Sequence, residues 1–249
     1  MELYYLIVFF IIGIILGSFL NVVIYRTPIN ESIVYGRSHC TKCNHTLSPL
    51  ELIPVISYLF LGGKCKVCKS PISYRYPLIE LITGLLFVAA YSIIGLSYHL
   101  VIALILILLL IVITMIDIDT LEIYDRFQIM LLVLALVQVF ISKLPLMDHL
   151  IGFFIISIPF YIIAILTEGI GGGDIKLIAI GGLLLGYKAT LVAFFIAVIL
   201  GSIYAIYLLI VKKSNRKAQI AFGPFLCVGI LIAFLYSEII IQTYLNLVF

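Results

Sequence analysis

The chain has 249 residues, 64% apolar and 11% charged, with a formal net charge of +3 and a mean hydropathy of +1.30. Soluble domains average roughly 45 to 50% apolar and about 25% charged residues, so a water-soluble globule is excluded and long lipid-embedded runs must fill the gaps between the charges. The small positive charge gives no basis for a nucleic-acid partner; the positions of the basic residues bear on membrane orientation instead.

In chain order, eight segments carry enough apolar residues to cross a bilayer: Leu3 to Tyr25, Pro77 to Gly95, His99 to Ile116, Phe127 to Ser142, Met147 to Thr167, Ile175 to Gly186, Ala189 to Val211 and Gly223 to Leu247. The predicted fold class is an all-α polytopic membrane protein with about eight transmembrane helices. The fourth and sixth spans are short and are expected to face protein rather than lipid. Only Glu2 precedes the first apolar run and no small-residue cleavage site follows it, which predicts an uncleaved helix. Within it, Gly13 and Gly17 form a GxxxG step suited to close helix packing, and Asn21 is expected to bond a neighbouring helix. With the amino terminus outside, every Lys and Arg except Lys143 and Lys188 falls on the cytoplasmic side, including Arg126, Lys176, Lys212, Lys213, Arg216 and Lys217. The expected division is a first helix over 1–25, a cytoplasmic loop over 26–76, and a seven-helix membrane domain over 77–249.

That loop holds Cys40-Thr-Lys-Cys43 and Cys65-Lys-Val-Cys68, two CxxC pairs separated by 21 residues. A CxxC turn places two thiolates on one side of a cation, and two such turns complete the closed tetrahedral shell of structural zinc. The reducing compartment and the lack of a thioredoxin-like βαβ pattern weigh against disulfides or a redox pair. A four-sulfur shell leaves no open position for water, so the metal is expected to hold the loop together and not to activate a nucleophile. His39 and His45 flank the first knuckle and read as solvated loop residues; Cys227, inside the last span, reads as a buried apolar thiol.

Ionisable groups at membrane depth need a reason. The third span ends in Asp117-Ile-Asp119-Thr-Leu-Glu122-Ile-Tyr-Asp125, and the sixth follows Gly171-Gly172-Gly173-Asp174-Ile175-Lys176. The glycines allow a close approach that can bring Asp174 against the end of the third span. Two carboxylates held together share a proton, so that one serves as base and the other as acid, as in aspartic proteases. Equally, Asp117, Asp119 and Asp125 can be interfacial charges, and Asp174 can pair with Lys176 or cap its helix. Composition leaves protease and structural charge both open. Glu168 reads as a cap before the glycine run.

Taken in order, Gly17-Ser-Phe-Leu-Asn-Val-Val-Ile-Tyr-Arg26, the two CxxC pairs, Ile53-Pro-Val-Ile-Ser-Tyr-Leu59, Gly62-Gly63-Lys64-Cys65, Arg75-Tyr-Pro-Leu-Ile-Glu80, the Asp117 segment, the GxGD motif ending at Asp174 and Ala221-Phe-Gly-Pro-Phe225 resemble the type IV prepilin peptidase family over most of the chain. The resemblance implies an eight-span aspartyl endopeptidase of the bacterial inner or plasma membrane that removes the basic leader of prepilins or pseudopilins at the cytoplasmic face. It implies Asp117 and Asp174 as the catalytic pair, with Gly171, Gly173, Lys176, Glu80 and Asp125 in support and Glu80 close to the aspartates. In the family the first aspartate lies seven residues before a Pro-Asp or Pro-Asn pair; here Tyr124 stands where proline is usual. The retained cysteine loop further implies methylation of the new amino terminus from S-adenosylmethionine, with Gly63 and Lys64 as candidate residues for that step. Two rivals remain: a presenilin-like protease using Asp125 with Asp174, and a non-enzymatic, zinc-stabilised scaffold or transporter. Oligomeric state is not indicated.

Overall fold

The computed structural model describes residues 2–167, 169, 171–210 and 220–248. Glu168 and the basic run at Lys212, Lys213, Arg216 and Lys217 lie outside the described residues. Among the described residues the regular structure is helical: α1 (Glu2–Arg26), α2 (Ile56–Phe60), α3 (Arg75–Ile94), α4 (Tyr98–Thr120), α5 (Asp125–Ile141), α6 (Leu146–Ile155), α7 (Ser157–Thr167), α8 (Gly172–Leu185), α9 (Tyr187–Ile210) and α10 (Gly223–Val248). Six of the helical stretches, with α6 and α7 counted as one, are long and apolar enough to cross a membrane. The two other expected spans are α5 and α8, of 17 and 14 residues. The chain divides into two compact units, Met1–Val112 and Ile113–Phe249, with the division falling inside α4.

In the first unit α1 and α3 pack against each other over their length. A Cβ on Gly13 would lie 2.7 Å from the Gly84 Cα, so the two backbones touch where the GxxxG step passes. Asn21 Nδ2 donates to the Tyr76 carbonyl at 3.1 Å, which ties the end of α1 to the start of α3. Arg26, the last residue of α1, is buried, and its guanidinium donates to the carbonyls of Ser32 and Tyr35 at 2.8 and 3.0 Å. One planar cation thereby organises the first turn of the loop.

In the second unit α8 is enclosed. Every residue from Leu177 through Leu185 is buried, and α5, α6, α7, α9 and α10 all pack on it. A helix surrounded by protein has no need of the full thickness of the bilayer, which accounts for its length. Gly152 of α6 and Gly182 of α8 meet backbone to backbone, each leaving no room for a side chain on the other. His149 is fully buried: Nδ1 donates to the Leu183 carbonyl at 2.7 Å and Nε2 shares a hydrogen bond with Ser142 Oγ at 2.6 Å. Both ring nitrogens thus have partners, and one of them caps a carbonyl left open at the end of α8. The expected fifth span is two helices, α6 and α7, because Pro159 lacks the N–H that would reach Ile155 and its ring crowds that carbonyl. Ser157 Oγ donates to the Phe153 carbonyl at 2.5 Å across the break.

Candidate functional site

The four loop cysteines lie together. Their sulfurs are all within 4.8 Å of one another, with Cys40 to Cys68 at 3.8 Å and Cys43 to Cys65 at 3.9 Å. Zinc–sulfur bonds of about 2.3 Å place tetrahedral sulfurs roughly 3.8 Å apart, so the cluster has the dimensions of a closed metal shell. Each knuckle is built the same way. The Cys40 amide donates to the His45 carbonyl and the Cys65 amide to the Ser70 carbonyl, both at 2.9 Å. Asn44 and Lys69, the residues after the second cysteine of each pair, adopt positive φ of 55° and 58° to turn the chain back. Backbone N–H groups of Lys42 and Cys43 aimed at Cys40 lower its thiol to about 6, while burial and the neighbouring thiols push Cys43 up to about 11, so without a cation the four sulfurs do not all ionise together. Neither histidine joins the cluster: His39 Nδ1 faces the Arg37 carbonyl at 3.4 Å and His45 Nε2 faces Glu51 at 3.4 Å.

The second unit brings Asp117 and Asp174 into one neighbourhood. Asp117 sits in the last turn of α4 and is buried; Asp174 sits in the first turn of α8 and is half-buried. Asp174 feels the charge of Asp117, and Cys227 of α10 feels both. Their convergence is visible in the contacts of Ile123, in the turn after α4. A Cβ on Gly173 would lie 3.0 Å from the Ile123 Cβ, and one on Gly223 would lie 3.1 Å from its Cδ1 while colliding with Asp117 Oδ2. One isoleucine is therefore wedged between the glycine that precedes Asp174 and the glycine that abuts Asp117. Phe222, its ring tilted against that of Phe160 with centroids 6.1 Å apart, packs just ahead of Gly223 at the start of α10. The Gly223 N–H faces the Asp117 carboxyl, yet Asp117 Oδ2 and Asp174 Oδ1 are buried and make no hydrogen bond.

Asp125 is placed differently. It is exposed and forms an ion pair with exposed Lys176 at 2.7 Å, joining the start of α5 to α8. Beside it, buried Gln128 donates from Nε2 to the Gly173 carbonyl at 3.1 Å and steadies the glycine turn. Sequence reasoning passed over Gln128 and Ile123 and assigned no site role to Cys227 or Gly223; an amide among apolar residues of a span was the available signal for the first. Gly171 lies beside the carboxylate it precedes, its Cβ position 3.4 Å from Asp174 Oδ2.

Glu80, expected beside the aspartates, has its hydrogen bonds inside the first unit. Its Oε2 accepts the Val55 N–H at 2.7 Å and its carboxyl also meets Ser18. Gly63 adopts φ +67° and packs on Tyr58, whose hydroxyl lies 2.9 Å from its Cβ position; Lys64 is exposed on the second knuckle.

The comparisons with known proteins agree with one another. Residues 11–94 match the bacterial peptidase A24 N-terminal domain, and residues 104–206 match the type IV leader peptidase family. A protein of Bacillus subtilis (strain 168) named prepilin leader peptidase/N-methyltransferase is 38% identical over 245 residues, covering 96% of this chain and 98% of that one. Proteins of the same name from Aeromonas salmonicida (strain A449) and Pseudomonas aeruginosa are 32% and 30% identical over 95% of this chain and 92% of theirs. No solved structure matches. On identity that extends over nearly the whole length of both chains, this protein belongs to the type IV leader peptidase family.

Proposed function

We propose that this protein cleaves the leader from prepilins or pseudopilins, with Asp117 and Asp174 as the catalytic carboxylates, and then methylates the exposed amino terminus. The observation that carries the peptidase reading is the pair of buried carboxylate oxygens, Asp117 Oδ2 and Asp174 Oδ1, which share a neighbourhood and have no hydrogen-bond partner. Buried polar atoms without a partner are costly and rare, and functional sites are where they persist. One carboxylate takes a proton from a water whose oxygen attacks the scissile carbonyl. The other, protonated, donates to the developing oxyanion, and the departing amine leaves with a proton as the C–N bond breaks. The ion pair of Asp125 with Lys176 supports Asp117 over Asp125 in this role.

The orientation we infer puts the amino terminus outside and both the cysteine loop and the aspartates at the cytoplasmic face, because that choice leaves nearly all basic residues inside. A prepilin offers a basic leader in the cytosol and an apolar segment in the bilayer, so its scissile bond arrives at that boundary. The metal we assign to Cys40, Cys43, Cys65 and Cys68 is zinc in a structural role, on the sulfur spacing and the all-thiolate donor set. S-adenosylmethionine, when bound, supplies an electrophilic methyl group: the free amine forms the new C–N bond, the C–S pair stays on sulfur, and the ammonium proton leaves to water. The expected domain roles follow, with the segment 26–76 serving methyl transfer and the helices after it serving cleavage.

The deciding experiment is incubation of purified protein in lipid with a candidate prepilin, with and without S-adenosylmethionine, followed by mass spectrometry of the products. Loss of the leader mass is expected in both reactions and a further methyl group only in the second. An intact prepilin after prolonged incubation would overturn the peptidase reading, and would leave a scaffold or transporter in its place.

A further inference from the structure

The first unit contains a cavity of about 390 Å³ between the inner ends of α1 and α3 and the cysteine loop. Its size is that of small-molecule sites in general. Glu51 and Glu80 line it together with Asn21, Tyr25, Tyr58 and Tyr76. Gly63 and Lys64 are not part of its lining.

The two glutamates are held by different means. Glu51 Oε2 accepts the Ser48 N–H and hydroxyl at 3.0 and 2.7 Å and faces His45, and those bonds hold its carboxyl at about 2. Its side chain is only 6% exposed, and its second oxygen, Oε1, is buried with no hydrogen-bond partner. Glu80 fastens the opposite wall. Its bond to the Val55 N–H anchors a tight turn in which Val55 sits at φ +62°, ψ −51° and the Ile56 N–H bonds the Pro54 carbonyl at 2.6 Å. A β-branched residue at that φ is strained, and strain of this kind persists only where the surroundings enforce it. Removal of the Glu80 bond frees α2, the helix that carries Tyr58.

A buried carboxylate oxygen with an open lone pair calls for a donor or a cation. The tyrosine rings in the lining offer π faces, which attract sulfonium and ammonium groups alike. A methyl donor built on a nucleoside presents a sulfonium, an amino group, ribose hydroxyls and an apolar base in one molecule of the cavity's scale. We propose that this cavity binds S-adenosylmethionine, with the Glu51 carboxylate, part of the lining, turning to offer its unpartnered Oε1 as an acceptor and Glu80 acting as a positioning residue for the α2 wall. The proposal rests on the methyl-transfer half of the function given above and adds the place of binding.

The test uses full-length, zinc-loaded protein in detergent. Isothermal titration with S-adenosylmethionine and with S-adenosylhomocysteine is run on the wild type, on Glu51→Gln and on Ser57→Phe, a lining residue replaced by one that fills the cavity. Zinc content and melting temperature serve as controls for the fold. Both variants are expected to bind at least ten-fold more weakly, with zinc retained. Ultraviolet cross-linking of methyl-labelled donor to the wild type is expected to label peptides from 18–26, 51–61 or 70–80, a readout that stands even if a variant fails to fold. Wild-type affinity in both variants, or label confined to residues beyond 113, would overturn the cavity assignment while leaving methyl transfer intact. So would a result in which Glu51→Gln weakens a basic leader peptide and not the donor. No binding of the donor by the wild type would overturn the methyl-transfer reading and the cavity with it.

Discussion

The cysteine loop and the aspartate cluster are two ways of building a site. Each knuckle of the loop closes on itself within a few residues, through one amide bond and one positive-φ residue, so two short turns present four sulfurs with little help from the helices. The aspartate cluster has no such local unit. Asp117 and Asp174 lie on different helices and meet because Ile123, Gly173 and Gly223 leave just enough room, and because α8 is held from several sides by Gly152, His149 and Gln128. A site made of local turns is expected to fail when its metal is lost. A site made of packed helices is expected to fail when a single methyl group is added at the wrong place.

The sharpest break of that comparison comes from the carboxylates themselves. Asp117→Asn and Asp174→Asn are each expected to lower leader cleavage by about 10³-fold or more, as for loss of an acid or base group, with zinc content unchanged. Asp125→Asn, which disrupts only an exposed ion pair, is expected to stay within about ten-fold of the wild type. Initial rates on a synthetic prepilin measure all three, and a reversal of Asp117 and Asp125 would assign the chemistry to the Asp125–Asp174 pair.

Next in size is Gly223→Ala. The added Cβ falls on Asp117 Oδ2, so the carboxylate must move, and displacements of that order cost about 10²-fold in rate. Full cleavage by this variant would show that the cluster tolerates a shift and that helix packing does not limit it.

Removal, with a chelator, of the zinc we assign to the four cysteines addresses the other region. Structural zinc is worth roughly 10 kcal/mol or more to the segment it folds, so the loop is expected to become sensitive to proteolysis. Methyl transfer is expected to fall at least about ten-fold further than cleavage, since metal-site losses act through the folding of their own segment. Equal loss of both activities would merge the two regions into one functional unit.

The smallest effect belongs to Ser48→Ala, which removes one hydrogen bond to Glu51 and is expected to cost the loop about 1 kcal/mol at neutral pH. The folded carboxyl sits at about 2 against an ordinary 4.5, so this contribution is complete above pH 4.5 and disappears as pH falls towards 2. Hydrogen exchange of the loop amides at pH 7 and near pH 3 should show the gap between variant and wild type narrowing in acid.

Much of this molecule is legible along the chain because its strongest signals are one-dimensional. Apolar runs announce spans, since lipid offers the backbone no partner. The CxxC pairs announce a metal shell, since thiolates two residues apart already share a side. GxxxG at Gly13 and the amide of Asn21 behave as their local chemistry suggests. The break ahead of Pro159 was missed, because a run of apolar residues over Met147 to Thr167 reads as one span in a count of hydropathy.

What the sequence settled by itself is therefore the membrane class, the rough limits of most of the apolar helices, and the grouping of the four cysteines, because each of these follows from residues close together along the chain. Only the tertiary structure decided that Asp117 and Asp174 come into one neighbourhood while Asp125 pairs with Lys176, that Glu80 holds the loop turn at Val55, and that Glu51, on the wall of a cavity, keeps a buried oxygen without a partner. Those are contacts between side chains far apart in the chain. They depend on distances of an ångström or less between packed helices, and no spacing rule encodes such distances.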